Sequence, residues 1–167
     1  MATDYHWRPA GTGDLDAMIR IADEVHPDHP EDPAIFAERL ALHPEGVLVV
    51  ANGAPGGYVL SHPWMLDRPP SLNCLLGSIP TAADTYYLHD IALLPETRGR
   101  GLARTAIEAL VGRARHAGLP SVSLVSVIGG GYWQAFGFRD ASQRIAPGKL
   151  ASYGMDARYM VCDIDRA

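Results

Sequence analysis

The sequence predicts an α/β domain, and three observations carry that prediction. Residues 86–117 read as strand, short loop and helix. The strand, 86–94, is apolar and aromatic apart from His89 and Asp90, and Pro95 stops it. After Gly99 and Gly101, apolar side chains recur at Ala103, Ile107, Leu110, Ala114 and Ala117, one face of a helix. Strand-like and helix-like stretches also interleave along the chain in the order β-α-α-β-β-β-α-β-α-β-β. Finally, 167 residues with 47% hydrophobic and 20% charged content fit one globular domain, 1–167, with chain enough to bury a core.

Each element has its own signal. Tyr5–Pro9 reads as a first strand, and Asp14 as the N-cap of a helix with Leu15, Met18, Ile19, Ala22 and Val25 on one face. The His26–Asp32 segment, with two prolines, breaks that helix, and a second runs from Pro33 to Leu42 with proline in its first turn. Val47–Ala51 is a strand, and Asn52-Gly53 turns into its partner, Gly57–Ser61. Residues 62–84 form a long Pro/Ser-rich connection, a length at which loops are often functional. Gly118 and Pro120 stop the central helix, and Ser121–Val127 is a further strand. Gly129-Gly130-Gly131 leads into a short aromatic helix. A small strand near Phe138 and a closing strand within Tyr153–Ile164 complete the order.

The glycine-containing turn that opens the central helix exposes unpaired N–H groups at the positive end of the helix dipole, a ready phosphate seat. Charge agrees. The chain is net −5, yet Arg98, Arg100, Arg104, Arg113 and Arg115 lie within eighteen residues, opposed there by Glu108 alone. An ordinary solvated helix face remains the alternative. The Walker pattern is absent, and Arg104 stands where a dinucleotide fingerprint needs its third glycine.

What the stretch matches is Arg-x-x-Gly-x-Ala, here Arg98, Gly101 and Ala103, preceded by Leu93-Leu94-Pro95. A second match is Tyr132-Trp133-Gln134-Ala135-Phe136-Gly137-Phe138, a late helix ending in Gly-Phe. Together these resemble the GCN5-related N-acetyltransferase (GNAT) family. The resemblance implies the GNAT fold, a mixed, twisted sheet of six to seven strands flanked by about four helices. It also implies an acetyl-CoA-dependent N-acetyltransferase in which a primary amine, of a small molecule or else of a peptide or protein, attacks the thioester directly. Acetyl-CoA would be the co-substrate, with its pyrophosphate on the N–H groups of Gly99, Arg100, Gly101, Leu102, Ala103 and Arg104 beside Arg98. Its pantetheine arm would pair with Ile91, Ala92 and Leu93, where a backbone N–H polarises the carbonyl.

For the base, alternation along the strand puts Tyr87, His89, Ile91 and Leu93 on one face and Asp90 on the other. By resemblance, His89 falls where arylalkylamine N-acetyltransferases carry a catalytic histidine, and Tyr87 where several members carry a base. Histidine suits proton abstraction from an ammonium. A buried histidine bonded to a backbone carbonyl is the competing reading. The family's usual acid, a Tyr four residues before the Gly of Gly-Phe, is here Trp133, which cannot act as an acid. Either Tyr132, one residue early and about 100° round the helix, substitutes, or solvent protonates the thiolate. The family's frequent Asn at the preceding strand end corresponds to Ser126, which with Trp133 is expected against the cofactor.

Two rivals stand beside the acetyltransferase: a non-catalytic acyl-CoA-binding sensor of the same fold, and a transferase for a longer acyl group. His26-x-x-His29 with Asp28, Glu31 and Asp32 is weighed as a metal site, but its prolines favour a solvated loop, and no metal is expected. Trp64, Asn73 and Cys74 either shape an acceptor pocket or pack the long loop down. Cys74 and Cys162 lack metal spacing, no signal peptide or membrane span is visible, and a cytoplasmic protein with reduced cysteines is expected. The net charge argues against a nucleic-acid partner, and a homodimer is left open. Residues 14–45 carry nine acids against Arg20 and Arg39. By resemblance they flank the acceptor side, so the expected partner is a small, cationic amine; acids on solvated helix faces are the alternative.

Overall fold

A computed structural model describes residues 4–164. In chain order the elements are β1 (His6–Pro9), α1 (Leu15–Val25), α2 (Pro33–Leu42), β2 (Val47–Asn52), β3 (Ala54–Trp64), β4 (Thr85–Leu93), α3 (Leu102–His116), β5 (Ser121–Ser126), α4 (Gly131–Gln134), β6 (Arg139–Asp140) and β7 (Arg158–Asp163). The strands form one open, mixed sheet in the order β1-β2-β3-β4-β5-β7-β6. Within it β4 and β5 are parallel and the other pairs antiparallel. A parallel pair needs a crossover, which α3 supplies. This is the fold that the sequence implies.

Strand alternation sorts the apolar side chains to two faces. Leu48, Val59, Tyr86, Leu88, Val122, Leu124 and Met160 pack with Ala106, Ile107, Leu110 and Ala114 of α3. Val47, Val49, Tyr58, Leu60 and Ala92 pack with Met18 and Ile21 of α1 and Ile35, Phe36 and Leu40 of α2. Burying each large apolar side chain stabilises the fold by roughly 1.5–3 kcal/mol.

Several local expectations change. Asp14 does not cap α1 with its side chain. Its carboxylate accepts from both terminal guanidinium nitrogens of Arg8 at 2.8 Å and from the Gly11 N–H at 2.8 Å, bracing a single 3₁₀ turn ahead of the helix. β3 runs past both predicted ends, through Pro63 to Trp64, because β4 pairs with it as far as Thr85. The long connection is therefore 65–84. The buried stripe of α3 is Leu102, Ala106, Ile107, Leu110 and Ala114; Ala117 is the exposed C-cap, ahead of Gly118 in the left-handed region.

The largest correction concerns β4. Leu60 pairs with Asp90 and Ser61 with Leu88, so His89 is an extra residue, a bulge. A bulge shifts the two-residue period by one. Tyr86 and Leu88 lie on the α3 side before it, and Ile91 packs on that side after it, while Ala92 faces α1 and α2. His89 and Asp90 both turn toward the α1–α2 side, where their partners are Glu31 and His26. Strict alternation thus fails: Tyr87, His89, Ile91 and Leu93 do not share one face.

Candidate active site

The parallel pair β4–β5 holds together only over Tyr86–Leu88 and Val122–Leu124. Beyond that point β4 stays with β3 and β5 stays with β7, so the two strands part. A cleft of about 520 Å³ opens between them, walled by residues 88–91 and 124–128, with Arg98 and Ala103 at one end and Tyr132 and Trp133 across it. The β4 edge facing β5 is unpaired from His89 onward, which leaves backbone groups at Ile91–Leu93 for an extended ligand.

At the Arg98 end the first turn of α3 starts directly from Gly101, a left-handed N-cap with φ 75° and no side chain to cap the helix. The N–H groups of Leu102, Ala103 and Arg104 therefore lack intrahelical acceptors. Gly99 is also left-handed, φ 73°, and a Cβ on either glycine would meet nothing within 4 Å, so the turn is open to an approaching anion. Arg98 lays Nε on the Leu93 carbonyl at 2.9 Å, tying the turn to the end of β4. Arg100 sits over the Tyr5 ring at 5.5 Å and Arg104 over Phe136 at 4.8 Å, so both cations are steadied by aromatic faces. The donor set and open glycines fit a pyrophosphate-bearing cofactor such as CoA.

The other end is built from ionisable side chains. His89 Nε2 lies 2.7 Å from Glu31 Oε1, with the side chains 1% and 6% exposed. A carboxylate can only accept, so Nε2 carries the hydrogen and, in the neutral ring, Nδ1 keeps a lone pair. That Nδ1 has no hydrogen-bond partner among the described residues. Glu31 is itself braced by the Asn73 N–H on its second oxygen at 2.9 Å, and Asn73 Oδ1 accepts the Asp32 N–H at 2.7 Å.

Beside this pair stands a second one. His26 Nε2 is 2.8 Å from Asp90 Oδ1, an ion-pair distance although off the line of a good hydrogen bond. The other Asp90 oxygen accepts the Tyr58 hydroxyl. Burial works to lower the His26 pKa, but Asp90 outweighs it and the net shift is upward. Burial likewise opposes the Asp90 charge, yet His26 and Tyr58 hold its pKa below the usual value. Burial first, then Asp90, drives the Tyr58 phenol well up. A smaller chamber of about 60 Å³ continues the cleft and is lined by His26, His29, Glu31, His89, Asp90 and Tyr153 among others.

The 65–84 connection closes this end. Glu38 accepts the N–H groups of Leu76 and Gly77 at 2.7 and 3.0 Å, and buried Arg39 bonds Glu38 and the Cys74 carbonyl. Leu72 N–H donates to Ser152, and the Tyr153 hydroxyl donates to the Pro70 carbonyl at 2.8 Å.

The sequence-derived candidates are placed as follows. His89 lines the cleft. Tyr87 lies buried beneath it, ring centroids 6.3 Å apart, and burial raises its phenol pKa so far that it keeps its proton. Tyr132 is exposed in the cleft mouth; Trp133 is buried behind it against Phe138. Ser126 spends its hydroxyl on the Gly129 carbonyl at 2.5 Å, shaping the turn at the cleft rim. Asn73 supports Glu31, Trp64 bonds the Arg68 carbonyl, and Cys74 is exposed. His26 and His29 do not converge. His29 Nε2 meets the Tyr153 carbonyl at 3.1 Å, and no group of three or more His, Cys, Asp or Glu among the described residues is placed to hold a metal ion. Of the nine acids in 14–45, Asp14, Glu31 and Glu38 are drawn inward to named partners and the other six are exposed, so the negative end of the cleft owes its character to Glu31 and Asp90. Sequence reasoning missed Asp90 and Tyr153, and it weighed His26 and Glu31 only as a metal site that it set aside as a solvated loop; the one visible signal was the density of His and acids in 26–32.

No helix among the described residues is long and apolar enough to cross a membrane. Residues 15–138 match the sequence profile of the Acetyltransferase (GNAT) family. No curated protein sequence matches the chain significantly. Ard1 from Thermoplasma volcanium superposes with a TM-score of 0.73 at 15% identity, over 96% of this chain and 98% of that one. The ribosomal-protein-S18-alanine N-acetyltransferase from Escherichia coli gives 0.67 at 18%, over 98% and 96%. GphF, a GNAT-like decarboxylase in complex with isobutyryl-CoA, gives 0.77 at 17%, over 96% and 100%. At these identities the likeness is one of fold.

Proposed function

The chain belongs to the acetyltransferase (GNAT) family, and on that premise we propose that it transfers an acetyl group from acetyl-CoA to the primary amine of a small molecule. The observation that carries this reading is His89. Its Nε2 is fixed by Glu31, it lines the cleft where β4 and β5 part, and that cleft leads to the open N-terminus of α3. Acetyl-CoA would supply the activated thioester. The N–H groups of Leu102–Arg104, with Arg98, hold its pyrophosphate, and the free edge of Ile91–Leu93 aligns its arm and offers an N–H to the carbonyl oxygen. His89 accepts a proton from the acceptor ammonium at Nδ1, directly or through one water, while Glu31 keeps the ring oriented through Nε2. Tyr132, exposed in the cleft mouth, is the side chain there able to protonate the thiolate.

One observation favours a rival. Trp133 stands where the family usually has its acid, and it is buried, which suits a non-catalytic acyl-CoA sensor. The test is to incubate the purified protein with acetyl-CoA and a panel of primary amines, measuring thiol release and product mass. Turnover that disappears in His89→Ala is expected; CoA binding by calorimetry with no turnover across the panel would leave the sensor. Because GphF holds isobutyryl-CoA, propionyl- and isobutyryl-CoA belong in the same experiment, with acetyl-CoA expected to turn over fastest.

A further inference from the structure

If an ammonium acceptor is acetylated, two protons leave its nitrogen and one returns to the departing thiolate, so one proton per turnover must reach solvent. His89 is poorly placed to deliver it, with its side chain 1% exposed and Nε2 held by Glu31. We propose that His26, held by Asp90, is the exit for that proton, receiving it across the small chamber that both imidazoles line. This inference rests on the acetyltransferase reading.

The geometry points to it in three ways. His26 lines the cleft and the chamber together with His89, and its side chain is 26% exposed, so it touches both the buried site and water. The bulge places His89 and Asp90 consecutively toward the α1–α2 side, which brings two carboxylate-held imidazoles to one chamber. The chamber, about 60 Å³, has room for about two waters, enough to link rings that do not touch. Both Asp90 oxygens are engaged, by His26 and Tyr58, and both Glu31 oxygens, by His89 and the Asn73 N–H. The titratable groups around His26 are Asp90 and His89 on β4, Tyr58 on β3, Asp23 on α1, His29 and Glu31 in the α1–α2 connection, and Tyr153 across the chamber. Asp90 and Glu31 favour the charged imidazole, and the upward shift of His26 agrees.

The step balances. An N–H bond of the ammonium breaks as His89 Nδ1–H forms. That proton crosses to His26, which releases one to solvent, and both rings return to neutral. The amine lone pair forms the N–C bond, the C–S pair leaves with sulfur, and the second nitrogen proton goes to the thiolate.

His26 also ends α1, and a purely structural role would make it a tie between α1 and β4. Two measurements separate the readings. In activity, His26→Gln is expected to lower kcat/KM at pH 7 by roughly 10–100-fold with KM for acetyl-CoA unchanged. Free imidazole should restore much of the loss in His26→Ala but not in His89→Ala. In the free protein, an NMR titration of the His26 ring should change its midpoint in His89→Ala, because the two rings line one chamber and share its waters. Variants that fold but gain nothing from imidazole, or a His26 titration indifferent to His89→Ala, would overturn the exit. Failure of the wild type to acetylate any amine would instead remove the acetyltransferase reading, and the titration alone would then decide whether the two rings interact.

Discussion

The two ends of the cleft are built on opposite principles. The Arg98 end comes from seven consecutive residues, 98–104, and works mainly through backbone: open N–H groups and two left-handed glycines, with Arg98 at the cleft wall. The His89 end comes from residues far apart in the chain and works through buried side chains that hold one another: Glu31 to His89, Asp90 to His26, Tyr153 to Pro70. A backbone seat accepts any ligand carrying the right anion, because its donors read charge and little else. A buried network holds its side chains through specific pairwise contacts, so its function is sensitive to single atoms. Shared cofactor chemistry is thus expected from the first end, and the individual reaction from the second.

Four experiments sharpen or break this contrast. The largest effect should come from His89→Ala, lowering kcat/KM by about 10²–10⁴ with acetyl-CoA affinity nearly unchanged. Activity should partly return at higher pH, where the amine deprotonates by itself. A fully active variant would make His89 part of the packing only. Gly101→Asp should act on the other end alone. A carboxylate in the anion seat, on a backbone with φ 75°, is expected to weaken CoA binding about 100-fold in calorimetry, and unchanged affinity with intact fold would dissolve the pyrophosphate assignment.

Third, the side-chain end should carry an acid sensitivity that the backbone end lacks. His62 is fully buried under Tyr87, and burial takes its pKa from 6.5 down to about 3. Below pH 6.5 the unfolded chain binds a proton that folded His62 refuses, so stability is lost as pH falls from 6.5 toward 3. At pH 5 this term costs about 2 kcal/mol, and His62→Gln should flatten the denaturant midpoint over that range. Equal slopes in the two proteins would place the acid sensitivity elsewhere. The smallest effect is expected from Glu31→Gln, which keeps shape but removes the carboxylate that orients His89 through Nε2. A fall in kcat/KM of about tenfold, with acetyl-CoA KM unchanged, would match a positioning role; a change in cofactor KM alone would couple the two ends.

The sequence by itself determined most of the fold and the open N-terminus of α3 at Gly101. The α1, α2, α3 and β2 segments were legible because helix and strand periods, N-terminal proline and the Asn52-Gly53 turn are local physics. Arg98, Gly99, Gly101 and Ala103 were legible for the same reason: a helix N-terminus is a property of the backbone segment that forms it. Only the tertiary structure decided where His89 points. A bulge depends on how β3 and β4 are paired, so counting by twos along one strand could not find it, and Ile91 and Asp90 each landed on the face opposite to the one expected. Only the tertiary structure, too, brought Glu31 to His89, 58 residues away, and folded 65–84 back onto α2 through Glu38 and Arg39. Charged residues in a loop look solvated in sequence, because nothing local marks the distant partner that makes burying them affordable.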